Sequence, residues 1–276
     1  LADVEIVVGS LTREQFASAS HLRWIHSGAA GVDGALFPEL ISSDVLLTSA
    51  KGSVGEHLAD HAMALMLALT RGIGKSLRSL DWDEKWPIRN ASWELTGRTL
   101  GIVGLGGTGR ALAQRAKAFD MEITAIDPEP VDLPGEVETC WGMDRFHELL
   151  SQSDVVAICA PLTTATEGMF DEEAFSRMRD HALLINVTRG SIVDEAALLK
   201  ALDNGEIGGA GLDVTPREPL PKDHPLWKMA NVVITPHTAG ASPLREQRNV
   251  DLICANLRLF LAGKPLQCVI DKVKGY

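Results

Sequence analysis

Between residues 99 and 235 the chain alternates short apolar runs with amphipathic ones. That alternation constrains the fold more than any other feature of the sequence. The apolar runs cover residues 99–104, 121–127, 154–159, 182–187, 208–214 and 232–235. They are short and rich in Val, Ile, Leu, Ala and Gly, as strands covered on both faces must be. Helical patterns separate most of them, at 108–119, 143–150, 172–178 and 195–204. Strand, helix and strand repeated in this way predict an α/β fold, a Rossmann-type doubly wound parallel sheet of six strands.

The flanks carry a different pattern. Residues 4–8, 22–26 and 45–47 read as short strands of a smaller unit, and 56–71 and 244–262 read as long helices. We therefore expect two domains, one discontinuous over 1–50 and 243–276 and the other over 51–242. At 45% hydrophobic and 23% charged residues the chain is globular in composition. Lys and Arg number 26 against 37 Asp and Glu, a net charge of −11, so the basic footprint of a nucleic-acid binder is missing. The longest apolar run, residues 63–69, is far too short to span a bilayer. Cys140, Cys159, Cys254 and Cys268 are scattered with no CxxC pair, which points to free thiols in a reducing, cytoplasmic compartment.

The first predicted strand runs into a glycine-rich turn, TLGIVGLGGTGRALAQRAKAFDMEITAID. Gly104, Gly106 and Gly109 form GxGxxG after a strand and before a helix. The first glycine permits the tight turn, the second lets the backbone approach a pyrophosphate, and the third lets the helix pack on the sheet. Asp127 ends the next strand, where a carboxylate can accept both ribose hydroxyls of an adenosine. It would also repel a 2′-phosphate, and no arginine follows in Pro128, Glu129 and Pro130. NAD (NADH) is therefore expected over NADP.

In open α/β sheets, ligands bind outside the carboxyl ends of the strands. Three polar side chains fall at or just past such ends: Arg189 after INVT, Glu218 in LDVTPREPLP and His237 in VVITPHTAG. An arginine can hold a carboxylate bidentately. A histidine can give or take the proton that accompanies hydride transfer at a carbonyl. A glutamate beside it orients the ring and favours its charged form.

With these residues in view, the chain resembles the D-isomer-specific 2-hydroxyacid dehydrogenase family over nearly its whole length. The stretches that carry the resemblance are ELTGRTLGIVGLGGTGR, APLTTATEGMF, LLINVTRGSIVDEAALLKAL, GAGLDVTPREPLP and VVITPHTAG. It implies an NAD-binding lobe, a flavodoxin-like substrate lobe and a homodimer joined through the NAD lobes. It places the family's catalytic arginine, glutamate and histidine on Arg189, Glu218 and His237. Cofactor contacts are implied at Gly104, Gly106, Gly107, Thr108, Gly109, Asp127, Pro161, Thr166, Val187, Thr188, Arg189, Asp213, His237 and Gly240. Substrate contacts are implied at Arg189, His237 and the backbone amides of Ala30 and Gly31, which open a GVD turn. Against the family pattern, Thr108 replaces a branched apolar residue, and the smaller lobe lacks its first strand and helix; the chain begins at Leu1 rather than a methionine.

The expectation is an NAD(H)-dependent oxidoreductase interconverting a small D-2-hydroxy acid and its 2-oxo acid, with glyoxylate or hydroxypyruvate as credible substrates. Formate dehydrogenation is disfavoured, because that branch carries glutamine where Glu218 stands. The alternative from another class is an NADH-responsive, corepressor-like binding protein on the same fold. Two further signals are declined. His57 and His61 are spaced i, i+4 on a helix, but the turns that follow, AMALMLAL, look like core, so the pair reads as helix packing and an interlobe contact and not as a metal site. Trp82 and Trp86 in LDWDEKWPI read as a surface loop. No metal is expected.

Overall fold

The computed structural model of the chain describes residues 1–79 and 81–276. They form two compact units. Unit 1 comprises Leu1–Val54, Pro161–Thr163 and Ala241–Tyr276, and unit 2 comprises Gly55–Ala160 and Thr164–Gly240. The division departs from the sequence-based one of 1–50 with 243–276 and 51–242. The exchanges fall after Val54 and Gly240, and Pro161–Thr163 belongs with unit 1. The reason is that the residues just after Ala50 are tied back into unit 1: Lys51 Nζ donates to the Val269 carbonyl at 2.7 Å, Cys268 Sγ to the Lys51 carbonyl at 3.1 Å, and the Ser53 amide to the Ala50 carbonyl at 3.1 Å.

Unit 1 holds three parallel strands, β1 (Ile6–Val8), β2 (Trp24–Ser27) and β3 (Leu46–Ser49), in the order β1-β2-β3. A buried polar relay crosses them. Trp24 Nε1 donates to Thr48 Oγ1 at 2.8 Å, Thr48 Oγ1 meets His26 Nδ1 at 2.8 Å, and His26 Nε2 meets Asn249 Oδ1 at 3.0 Å. The donors run in one direction if the ring carries its proton on Nε2, so each buried polar atom finds a partner. The C-terminal tail is pinned by Lys272, whose Nζ donates to the carbonyls of Leu40, Ser43 and Val45 at 3.0, 2.5 and 2.9 Å.

Unit 2 is an α/β Rossmann-like fold. Its strands are β4 (Thr99–Val103), β5 (Glu122–Ile126), β6 (Thr139–Trp141), β7 (Val155–Ile158), β8 (Leu183–Asn186), β9 (Gly209–Leu212) and β10 (Val232–Ile234). All pairings are parallel, in the order β10-β9-β8-β7-β4-β5-β6. The sheet thus has seven strands and not the six expected. The addition, β6, has three half-buried residues on an edge, too short and too mixed for a periodicity to register. Successive strands are added outward in one direction from β4 and in the other from β7, which makes the β4–β7 boundary the switch point of the sheet.

Helix Gly55–Thr70 and helix Gly107–Lys117 pack against the sheet through Ala59, Ala62, Met66, Ala113 and Ala116, all fully buried. Small residues let the two helices approach closely: a Cβ on Gly55 would lie 2.6 Å from the Gly107 carbonyl oxygen. Arg115 bridges them at the rim, to Glu56 at 2.6 Å and Asp60 at 2.5 Å. The LDWDEKWPI stretch, expected as a surface loop, is instead a 3₁₀ turn Trp82–Glu84 followed by a helix Lys85–Ala91. That helix buries no residue, so it presents no apolar stripe from which a period could be read. Among the described residues, no helix is long and apolar enough to cross a membrane, and no cluster of three or more His, Cys, Asp or Glu could hold a metal.

Candidate active site

Because unit 2's strands are all parallel, their carboxyl ends share one edge, and the residues that follow them are arranged by strand order. His237 follows β10, Glu218 follows β9, Arg189 follows β8, Gly104 follows β4 and Asp127 follows β5.

At the switch point, Gly104 has φ +95°, a conformation that L side chains rarely adopt, and a Cβ on it would lie 2.8 Å from Ala160. Gly109 is closed more tightly still: a Cβ on it would lie 2.2 Å from Gly104 O. Gly106 meets nothing within 4 Å, so the backbone there opens onto free space. It caps helix Gly107–Lys117 with no side-chain hydrogen bond, which leaves the first-turn amides and the positive dipole end for an anionic ligand. Gly107 is exposed and Thr108 half-buried at this turn. Asp127 is drawn back over it: Oδ2 accepts from the Leu105 amide at 2.8 Å and Oδ1 from the Glu129 amide at 3.0 Å. Open space, uncapped amides and a carboxylate at the next strand end fit the two phosphates and the adenosine ribose of a dinucleotide.

The three polar residues are linked through their loops. His237 Nδ1 lies 2.7 Å from Glu218 Oε2. Glu218 Oε1 accepts from the Thr215 amide at 3.1 Å, which fixes the second carboxylate oxygen and so the first. Thr215 is in turn pressed against Gly190, where a Cβ would stand 1.9 Å from the Thr215 carbonyl carbon. Gly190 directly follows Arg189, so that close approach sets the Arg189 loop against the Glu218 loop. Arg189 Nη1 donates to the Thr188 carbonyl at 2.8 Å, and Asn186 Nδ2 donates to the Arg189 carbonyl at 2.9 Å.

His237 has φ +52°, a strained conformation for a residue with a Cβ that persists only where surroundings enforce it. Asp213 enforces it. Its main-chain oxygen accepts from the His237 amide at 2.8 Å. Its carboxylate, in a residue only 2% exposed, accepts from Thr235 Oγ1 at 2.6 Å and from the Thr238 and Ala239 amides at 2.9 Å each. His61 Nε2 adds a contact to Thr235 Oγ1 at 2.7 Å and to Asp213 Oδ1 at 3.3 Å. Asp213 was expected as a nicotinamide-side contact, and its structural part, a buried anion that folds the 235–239 turn around itself, is additional. His61, expected to serve helix packing and an interlobe contact, braces this same turn within unit 2.

Of the remaining expected contacts, Val187 is buried and Thr188 half-buried, the latter held by Asn186 Oδ1 through its amide at 3.1 Å. Thr166 accepts from the Met169 amide at 3.2 Å in a turn of unit 2, and Gly240 is that unit's last residue. Pro161 falls in unit 1. So do Ala30 and Gly31, in a turn after β2 where Ser49 Oγ holds the Ala30 carbonyl at 3.1 Å and the buried Val32 anchors the far side. Gly190, Thr215 and Gly55 support the site without appearing among the expected residues. A glycine directly after a polar strand-end residue was the available signal for the first.

Comparison with known proteins shows what the chain is similar to. The family model for the D-isomer specific 2-hydroxyacid dehydrogenase, NAD binding domain, matches residues 63–239. The chain is 37% identical over 267 residues to a glyoxylate reductase of Korarchaeum cryptofilum, covering 95% of this chain and 80% of that one. Among solved structures it is similar to a D-isomer specific 2-hydroxyacid dehydrogenase from Xanthobacter autotrophicus in complex with NADPH and MES, with TM-score 0.83 and 29% identity over 99% of this chain and 86% of that one. It is also similar to an NAD-dependent formate dehydrogenase from Staphylococcus aureus in complex with NAD, with TM-score 0.80 and 28% identity over 98% and 83%.

Proposed function

The chain belongs to the D-isomer-specific 2-hydroxyacid dehydrogenase family, and from that premise we propose that it reduces a small 2-oxo acid, glyoxylate or hydroxypyruvate, to the D-2-hydroxy acid with NADH. The observation that carries the reading is the 2.7 Å contact between His237 Nδ1 and Glu218 Oε2 on the sheet edge that also bears the glycine turn.

A nicotinamide dinucleotide bound there supplies the hydride for the substrate's C2. Gly104, Gly106, Gly107 and Thr108 would hold its phosphates and Asp127 its ribose, with Thr166, Val187, Thr188, Asp213 and Gly240 as the remaining contacts in unit 2. Everything else is the work of side chains. With Nδ1 committed to Glu218, the free ring nitrogen of His237 is Nε2, and the ring is half exposed. Nε2–H gives its proton to the carbonyl oxygen as C2 is reduced, completing the hydroxyl, and takes it back in the oxidative direction. Glu218 fixes the orientation of the ring through its 2.7 Å contact with Nδ1. Arg189 binds the substrate carboxylate and polarises the carbonyl, since its fork matches that planar group. Ala30 and Gly31 remain proposed carboxylate contacts through their amides.

Asp127 supports NAD over NADP, since a 2′-phosphate would meet its carboxylate. The exposed Trp82 and Trp86, at 85% and 60%, support a homodimer formed through unit 2, because large apolar groups rarely stay in water. The free cysteines support a cytoplasmic setting.

Oxidation of NADH followed with glyoxylate and hydroxypyruvate tests the assignment. Turnover is expected, with kcat about 10²–10⁴ lower in His237→Ala and NADH affinity retained. Dinucleotide binding without turnover on any 2-oxo acid would favour the corepressor-like alternative.

A further inference from the structure

We propose that unit 2 carries a second anion site, an arginine pocket at the end of the sheet opposite the candidate active site. The pocket is an open depression of about 690 Å³ lined by Arg71, Arg89, Ser92, Glu94, Thr96 and Arg98. No apolar side chain lines it, which sets it apart from an incipient substrate cavity. Arg98 directly precedes β4, and Arg71 follows the carboxyl end of helix Gly55–Thr70. Both therefore lie at the amino ends of the strands. The five residues of β4 put roughly 16 Å between this edge and Gly104.

Three guanidiniums face one carboxylate there, in a chain whose net charge is −11. What fixes them is neutral. Arg71 Nη1 donates to the Trp93 carbonyl at 3.1 Å, Arg98 sits 5.3 Å over the Trp93 ring, and Arg89 sits 5.6 Å over the Trp86 ring. Such partners orient a guanidinium without cancelling its charge. Arg98 does reach Asp154, but only at 3.7 Å, and that carboxylate is already engaged by Arg179 at 2.9 Å and His181 at 2.8 Å. Elsewhere on this protein exposed arginines meet carboxylates directly, as Arg13 does Glu39 and Arg145 does Glu148. Among the described residues Arg71 and Arg89 thus meet no carboxylate within salt-bridge distance, while Arg98 is only loosely shared with Asp154 at 3.7 Å. The pocket's ligand is a compact polyvalent oxyanion, either a phosphate ester or a polycarboxylate. A monocarboxylate substrate would satisfy too few of the donors.

Isothermal titration of the folded protein at fixed ionic strength, with inorganic pyrophosphate and separately with citrate, tests the site. Saturable binding of at least one anion is expected, with and without NADH present. It should weaken about tenfold or more in Arg71→Ala/Arg89→Ala and stay within about threefold in Arg89→Lys. A response to pyrophosphate alone assigns a phosphate ester, and one to citrate alone a polycarboxylate. Binding that NADH displaces belongs to the glycine turn and overturns the proposal, as does binding unchanged in the double variant or absent for both anions. Arg89→Ala alone removes no hydrogen bond of the fold and provides the same comparison, at a smaller loss, should the double variant be unstable.

Discussion

Gly190 and Thr215 touch so closely that there is no room for a single carbon between them: a Cβ at 190 would stand 1.9 Å from the Thr215 carbonyl carbon and 2.2 Å from its oxygen. Both neighbours are backbone, so no rotamer change relieves the clash. The contact joins the loop that presents Arg189 to the loop that presents Glu218, and through Glu218 it reaches His237. Gly190→Ala must therefore push the two loops apart. We expect kcat/KM for the 2-oxo acid to fall at least about 10²-fold, because misplacement of order 1 Å is enough for that, with NADH affinity changed far less. Steady-state kinetics beside NADH fluorescence titration checks it. Activity within threefold of the parent would show that the approach is not what aligns these residues.

Asp213 holds its turn by burying a carboxylate among donors, so its removal has two separable effects. Asp213→Ala leaves the Thr238 and Ala239 amides and the Thr235 hydroxyl without their acceptor, and hydrogen bonds to a charged group each contribute about 1.5–3 kcal/mol. Allowing for water entering the gap, we expect a loss of about 3 kcal/mol in urea unfolding. The His237 amide keeps its bond to the main-chain oxygen of residue 213, but the turn that follows loses its anchor, and kcat should drop even at temperatures where the variant is fully folded. His61→Ala removes only one donor and should cost about 1 kcal/mol. A stability change under 1 kcal/mol for Asp213→Ala would mean that water or another donor replaces the carboxylate at once.

The residues legible in the sequence were those whose chemistry is local. GxGxxG announces a turn because the glycines, the strand before and the helix after lie within one window, and Asp127 follows at the distance of one helix and one strand. Arg189, Glu218 and His237 could be placed on one edge because parallel strands all end on the same side. What stayed hidden depends on contacts distant in sequence. Gly190 against Thr215 spans 25 positions and His61 against Thr235 spans 174. Nothing in either segment's own pattern marks the partner. β6 and helix Lys85–Ala91 escaped for another reason: they bury too little to impose a period.

Asp127 combines two tasks, and a serine separates them. A hydroxyl at 127 can still accept from the Leu105 amide, now bonded to Oδ2 at 2.8 Å, so the turn keeps its shape. The negative charge is gone, and Arg110, anchored on the same turn by its Nε bond to Leu105 O at 3.1 Å, is left as the local cation. For Asp127→Ser we expect the ratio of kcat/KM with NADPH to that with NADH to rise at least about tenfold. Comparison of the two coenzymes at one 2-oxo acid concentration series measures it. A parent enzyme already preferring NADPH would contradict the assignment of this carboxylate.

Asp154 sets the acid limit of the fold. Burial at 3% exposure would push its carboxyl pKa up, but hydrogen bonds from His181 Nε2, the Thr99 amide and Arg179 outweigh that and hold it below the ordinary carboxylate value. A depressed folded-state pKa contributes stability that is complete above the unfolded value of about 3.9 and disappears as pH falls through the folded one. The window of loss therefore lies below about pH 4, not near neutrality. In Asp154→Asn the contribution is absent at every pH, and the amide nitrogen confronts a donor on whichever side it takes, the Thr99 amide in place of Oδ2 or Arg179 in place of Oδ1. We expect it to cost about 2 kcal/mol in urea unfolding at pH 7, with the gap to the parent shrinking between about pH 4 and pH 2.5. Urea midpoints of both proteins across that range decide the matter. A gap that stays constant down to pH 2.5 would assign the effect to packing and not to charge.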